Sequence, residues 1–113
     1  MWIIYGIHNC DTVKKARSWL NDRQIKHRFH DFRADGLDPE LLQGFIDILG
    51  MDVVLNRRST SWRQLSIEQQ QASDHRILIQ LMQNTPTLIK RPILDTGKNL
   101  IAGFSPDDYQ KML

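Results

Sequence analysis

"WIIYGIHNCDTVKKARSWL", residues 2–20, decides how the chain begins to fold. Trp2-Ile3-Ile4-Tyr5 is aromatic and β-branched and stops at Gly6, the composition of a short buried strand. "IHNCD" then reads as a loop. From Thr12 to Arg23 the apolar residues Val13, Ala16, Trp19 and Leu20 recur at spacings of three and four, as on one face of a helix, with Asp11 or Thr12 as the expected N-cap. Cys10, the only cysteine of the chain, therefore lies just ahead of a helix.

That position admits two states. The unpaired backbone N–H groups and the positive end of a helix dipole favour a thiolate over a thiol, and Lys14 and Lys15 add positive charge while Asp11 opposes it. Free cysteine is also among the most buried residue types, so an inert, half-buried Cys10 is the other state. His8 can act as a base or orient Nδ1 toward the loop; a structural hydrogen bond is the commoner fate of a lone loop histidine.

Beyond residue 20, "KHRFHDF" (26–32) has the length and aromatic content of a second strand, and "RADGLDP" turns the chain. Pro39 opens a helix over 39–49, with Leu41, Leu42, Phe45, Ile46 and Leu49 on one face and Gly50 after its end. "MDVVLNRRSTSWRQL" is ambiguous between turns and short helices, and residues 66–72 read as helical. Residues 74–84 repeat the helical pattern from an Asp cap. "TLIKRPIL" and "KNLIAGF" read as two strands joined by "DTGK", and "SPDD" opens a last short helix. The Pro inside "IKRPI" marks an edge, a bulge or a cis turn, with Arg91 beside it. Arg57 and Arg58 on generic grounds belong to a solvated turn.

At 113 residues the chain has the size of one domain. No apolar run approaches the roughly 20 residues that span a bilayer, and the N-terminus has neither a basic n-region nor a small-residue cleavage site, so the expected location is the cytoplasm, away from membranes. Fifteen basic and thirteen acidic residues are scattered along the sequence, without the clustered basic footprint of a nucleic-acid binder. One cysteine makes no internal disulfide, which suits a reducing compartment and means that redox work at Cys10 needs a sulfur from another molecule. His27 and His30 fall on opposite faces of a strand, and no His and Cys constellation for zinc can be assembled, so no metal or bound cofactor is expected.

Strand, Cys loop, helix, strand, and later a Pro-containing strand pair and a final helix is the order of a thioredoxin or glutaredoxin domain. With "YGIHNCDTVKKA" (5–16), "FHDFRADG" (29–36), "LNRRSTSWRQL" (55–65), "IKRPIL" (89–94) and "GFSPDDY" (103–109), the sequence resembles the arsenate reductase-related ArsC/Spx/YffB family, and most nearly its YffB branch. The resemblance implies an α/β, thioredoxin/glutaredoxin-like fold over 1–113 with a helical insertion at about 38–84, and a cis proline at Pro92 opposite the active cysteine. It implies that Cys10, Arg91 and one arginine of "NRRST" hold an anion; the family pattern admits Arg57 or Arg58, with Arg58 the favoured match. Lys14 corresponds to the basic residue four after the cysteine, and with Asn9, His8 and Pro92 it would line the substrate site. Guanidinium groups fork onto carboxylates and oxyanions in bidentate fashion, and near Cys10 they would favour the nucleophilic thiolate.

Two departures narrow the substrate. Arsenate reductases carry a third arginine in the segment that here reads "LIAGFSP", where this chain has Gly103 and Phe104. Spx-type regulators carry C-x-x-C, where this chain has Cys10-Asp11-Thr12-Val13, which excludes an intramolecular redox switch. The leading expectation is a glutathione-dependent thiol reductase, with glutathione as co-substrate held through its carboxylates by Arg91 and Arg57 or Arg58. The alternatives are a glutaredoxin-coupled arsenate reductase acting on a small oxyanion, and a non-catalytic adaptor that binds a protein partner such as RNA polymerase, as Spx-type members do.

Overall fold

The computed structural model describes residues 1–113, which divide into two compact units, Met1–Gly36 with Arg91–Leu113 and Leu37–Lys90. The second unit covers the segment read as an insertion and runs on to Lys90.

The first unit is a four-stranded sheet with two helices. Strand β1 (Trp2–Gly6) leads through a loop to helix α1 (Asp11–Asp22) and strand β2 (His27–Asp31). After the second unit come β3 (Ile93–Asp95), β4 (Leu100–Ala102) and a final helix (Pro106–Gln110). The spatial order is β2-β1-β3-β4, with β1 parallel to β2 and the other pairs antiparallel. Parallel pairing of β1 and β2 needs a crossover, which α1 supplies.

Register aligns Phe29, Ile4, Leu94 and Ile101 as one apolar row across all four strands. Buried Ala16, Trp19 and Leu20 of α1 and Tyr109 of the last helix join Ile4 and Leu94 in the same cluster. Full burial of each large aliphatic side chain contributes about 1.5–3 kcal/mol, so this row and its helices hold the unit together. Period-two alternation sends Tyr5 to the opposite face, where its ring lies 5.0 Å from His30 and 6.3 Å from Phe32. Gly6 is where α1 and the strand end come closest: a Cβ there would stand 2.6 Å from Cγ2 of Val13. Only a residue without a side chain lets the first turn of α1 settle on the end of β1.

The second unit is helical: α2 (Pro39–Leu49), α3 (Met51–Val54), α4 (Thr60–Arg63), α5 (Ile67–Gln70), α6 (His75–Asn84) and a 3-10 turn (Pro86–Leu88). Pro39 opens α2, and Gly50 ends it at φ +90° with its N–H on the Ile46 carbonyl. Asp74 caps α6 by accepting from the Arg76 N–H, as the sequence pattern predicts.

The stretch "TLIKRPIL" is not one strand. Its start is the 3-10 turn, Ile89 forms a single antiparallel bridge with Leu55, and the sheet is entered only at Ile93. Pro92, joined to Arg91 by a cis peptide, has no N–H for a ladder, so the run is cut at the proline.

Candidate active site

Cys10, rather than Asp11 or Thr12, is the N-cap of α1. Its backbone is extended (φ −97°, ψ 125°), and its carbonyl accepts the N–H of Lys14 at 3.0 Å. Asp11 and Thr12 are already helical, which disqualifies both as caps, because the cap residue keeps non-helical angles. The Cys10 N–H closes a four-residue turn onto the Ile7 carbonyl at 3.2 Å. Its side chain makes no capping hydrogen bond, and the half-buried cysteine directly precedes the first helical turn, whose N–H groups have no partner within the helix. Asn9 and Lys14 flank it, both exposed.

The loop is held from outside by Asp31, the last residue of β2 and the one buried charged side chain, 5% exposed. One carboxylate oxygen accepts from the His8 N–H at 3.2 Å and meets the His8 ring Nδ1 at 2.9 Å. The other accepts the N–H groups of Arg33 (2.8 Å) and Ala34 (3.3 Å). Burial pushes the Asp31 carboxyl up, but the hydrogen bonds from the His8 ring and from the Arg33, Ala34 and His8 backbone outweigh it and hold the group below the ordinary carboxylate range. It is therefore ionised at neutral pH, and an ionised carboxylate only accepts, so Nδ1 of His8 carries the proton. Sequence reasoning missed Asp31 as a functional residue; its only signal there is its place in "FHDFRADG".

The same end of the sheet carries Arg91 and Pro92. Tyr5 pairs with Ile93, so Arg91 and Pro92 enter β3 at the end of the sheet where β1 leaves for the Cys10 loop. On the far side, Ile93 pairs with Ala102, and the next residue, Gly103, donates its N–H to the Pro92 carbonyl at 2.8 Å. Gly103 sits at φ +79°, a conformation that favours glycine. Phe104, which follows it, packs edge-on to Tyr109 with centroids 4.9 Å apart, and the Tyr109 hydroxyl donates to the Gly103 carbonyl at 3.5 Å. Topology thus collects His8, Cys10, Asp31, Arg91, Pro92 and Gly103 at one end of the sheet.

Arg57 and Arg58 belong to the second unit, in the turn between α3 and α4. They differ in what they hold. Arg57 pairs with Asp52 at 2.6 Å and lies over the Trp62 ring, 5.5 Å from its centroid. The Arg58 backbone N–H donates to the Asn56 side chain at 3.1 Å, while its exposed guanidinium has no partner in the protein. Two of the other three histidines hold backbone: His27 Nδ1 meets the Ile25 carbonyl and His30 Nε2 the Gly36 carbonyl, each at 2.8 Å, while His75 is exposed at the start of α6.

Comparison with known proteins follows the same lines. The pattern defining the ArsC family matches residues 5–112. An uncharacterized protein of Haemophilus influenzae is 48% identical over 97% of this chain and 96% of its own length. The global transcriptional regulator Spx of Lactiplantibacillus plantarum is 25% identical over 100% of this chain and 86% of its own. Among solved structures, the YFFB (PA3664) protein superposes with a TM-score of 0.92 at 40% identity, covering 98% of this chain and 97% of that one. An arsenate reductase (ArsC) related protein from Brucella melitensis gives 0.77 at 39% identity, covering 97% and 92%.

Proposed function

The chain belongs to the ArsC family, and on that footing we propose that it is a glutathione-dependent thiol reductase with Cys10 as its single nucleophile. The observation that carries the reading is the uncapped sulfur of Cys10 at the entrance of α1, on the end of the sheet that also bears Arg91 and Pro92. In the proposed reaction the Cys10 thiolate attacks the glutathione sulfur of a mixed disulfide RS–SG, forming Cys10–S–SG and expelling RS⁻, which takes up a proton. A glutathione thiolate then attacks the sulfur bound to Cys10, giving oxidised glutathione and regenerating the Cys10 thiolate. The balance is RS–SG plus reduced glutathione to RSH plus oxidised glutathione.

Arg91 and Arg58 are the residues this reading assigns to the carboxylates of glutathione, with Lys14, Asn9 and the Pro92 segment contacting the rest. Arg58 is preferred to Arg57 because the Arg57 guanidinium is already committed to Asp52. The late segment favours a thiol substrate over arsenate. Gly103 and Phe104 stand where the family's arsenate reductases carry an arginine, and both are absorbed in structure, one in a left-handed turn and one against Tyr109. Dependence on a glutathione pool places the reaction in the cytoplasm.

Intact-mass measurement after exposure to oxidised glutathione tests the proposal. The expected result is a single glutathione adduct that Cys10→Ser abolishes. No adduct, while a small alkylating reagent still labels Cys10, would overturn it. Arsenate-dependent oxidation of a coupled glutathione system would instead support the arsenate reductase. The match with Spx regulators across the whole chain favours a second reading, a protein-binding adaptor, which expects partner capture to survive Cys10→Ser.

A further inference from the structure

We propose that His8, oriented by the buried carboxylate of Asp31, is the proton carrier of the cysteine site. The inference rests on Cys10 being the nucleophile and adds where the proton goes. Burying a carboxylate is costly unless it is fully hydrogen-bonded, and the backbone N–H groups of Arg33, Ala34 and His8 already supply three partners to Asp31. The fourth is the His8 ring, and its geometry has a chemical consequence. With Nδ1–H committed to Asp31, the second ring nitrogen, Nε2, takes up or releases the mobile proton, and it makes no hydrogen bond within the protein. The ring is 72% exposed, so the pair is buried at its carboxylate end and open at its imidazole end. His8 and Cys10 are the second and fourth residues of one turn, closed by the Cys10 N–H on the Ile7 carbonyl, so the same turn carries both ring and thiol.

The proton then cycles without net change. Reduced glutathione gives its proton to Nε2 as it becomes the attacking thiolate. The imidazolium returns that proton to RS⁻ when the next mixed disulfide is cleaved by Cys10. Asp31 acts as a positioning residue, fixing the tautomer and the orientation of the ring. The principle is that by which a carboxylate orients a catalytic histidine in hydrolytic triads.

The test compares two stoichiometric reactions of Cys10. Oxidised glutathione expels a basic alkyl thiolate that benefits from a proton, whereas 5,5′-dithiobis(2-nitrobenzoate) expels a weakly basic aromatic thiolate that does not. The readout is the ratio of the two rate constants, glutathione disulfide over aromatic disulfide, which cancels changes in the nucleophile. We expect His8→Gln to lower this ratio at least about tenfold, and Asp31→Asn to lower it in the same direction by turning the acceptor for Nδ1–H into an amide. An unchanged ratio in His8→Gln, whose exposed site puts the fold at little risk, overturns the proposal whatever Asp31→Asn does. Steady turnover with reduced glutathione is read separately. Its absence, with the ratio still dependent on His8, removes the enzyme and keeps the proton carrier; intact turnover with an unchanged ratio removes the proton carrier alone. A Cys10 that reacts with neither disulfide overturns both.

Discussion

The turn before α1 and the turn before α4 each deliver a candidate functional side chain at a helix entrance, and they are held in opposite ways. At α4 the cap is Ser59, whose hydroxyl accepts the Trp62 N–H at 3.1 Å and donates to the Asn56 carbonyl at 2.8 Å. Asn56 also accepts from the Arg58 N–H, so this turn is built largely from residues close in sequence. At α1 the cap is Cys10, whose side chain makes no such bond, and order comes instead from Asp31, 23 positions from His8 in sequence. A serine cap uses its polar group to stabilise the helix. A cysteine cap leaves its sulfur available for chemistry, and the turn needs support from elsewhere in the fold.

The sharpest way to break the contrast is at Cys10. Cys10→Ser is expected to eliminate disulfide exchange, measured by loss of the glutathione adduct, with the thermal midpoint little changed because the cap side chain carries no hydrogen bond. An effect confined to stability would mean that the sulfur is structural.

Next is Asp31→Ala, which removes the acceptor for three N–H groups and the His8 ring and is expected to cost about 2–4 kcal/mol by denaturant unfolding. The pH dependence follows from the lowered native value. The Asp31 carboxylate contributes stability at pH above its unfolded value of 3.8, and loses it as pH falls through its lower folded value. The stability gap between wild type and Asp31→Ala should therefore narrow from about pH 5 toward about pH 2. A gap independent of pH would show that the charge is not what matters.

Gly6→Ala should cost about 1–3 kcal/mol, since the added methyl meets the stiff Val13 side chain at 2.6 Å. Combining it with Val13→Ala should cost less than the sum of the two single changes. Additive losses would place the strain elsewhere.

The smallest effects belong to the arginine turn. Arg57→Ala loses an exposed ion pair and a cation–π contact, worth less than about 1 kcal/mol together at such a surface. Arg58→Ala should leave stability unchanged while raising the KM for glutathione. The reverse pattern would exchange the roles of the two residues.

Much of this molecule is legible in its residues, because helix faces, caps and turns depend on neighbours two to four positions away. Val13, Ala16, Trp19 and Leu20 identify the buried side of α1, Pro39 and Gly50 bound α2, and Asp74 marks the start of α6. The errors lie where a local pattern competes with a nonlocal one. "TLIKRPIL" has the composition of a strand, but a strand also needs a partner for each N–H, and Pro92 offers none. Asp11 and Thr12 are good capping residues, but the backbone turns helical one step earlier, at the close of the Ile7–Cys10 turn.

Sequence by itself determined the order of elements, the single thiol and its place at a helix entrance, and, through the quoted motifs, the family. Only the tertiary structure decided that Cys10 is the cap, that Arg57 is committed while the Arg58 side chain is not, and that Asp31 holds His8. The physical reason lies in the parallel register of β1 and β2, which sets Gly6 opposite Asp31 and so carries a carboxylate beneath a loop it never neighbours in sequence. Periodicity reports which face of an element is buried, whereas the partner of a buried charge depends on how two strands align.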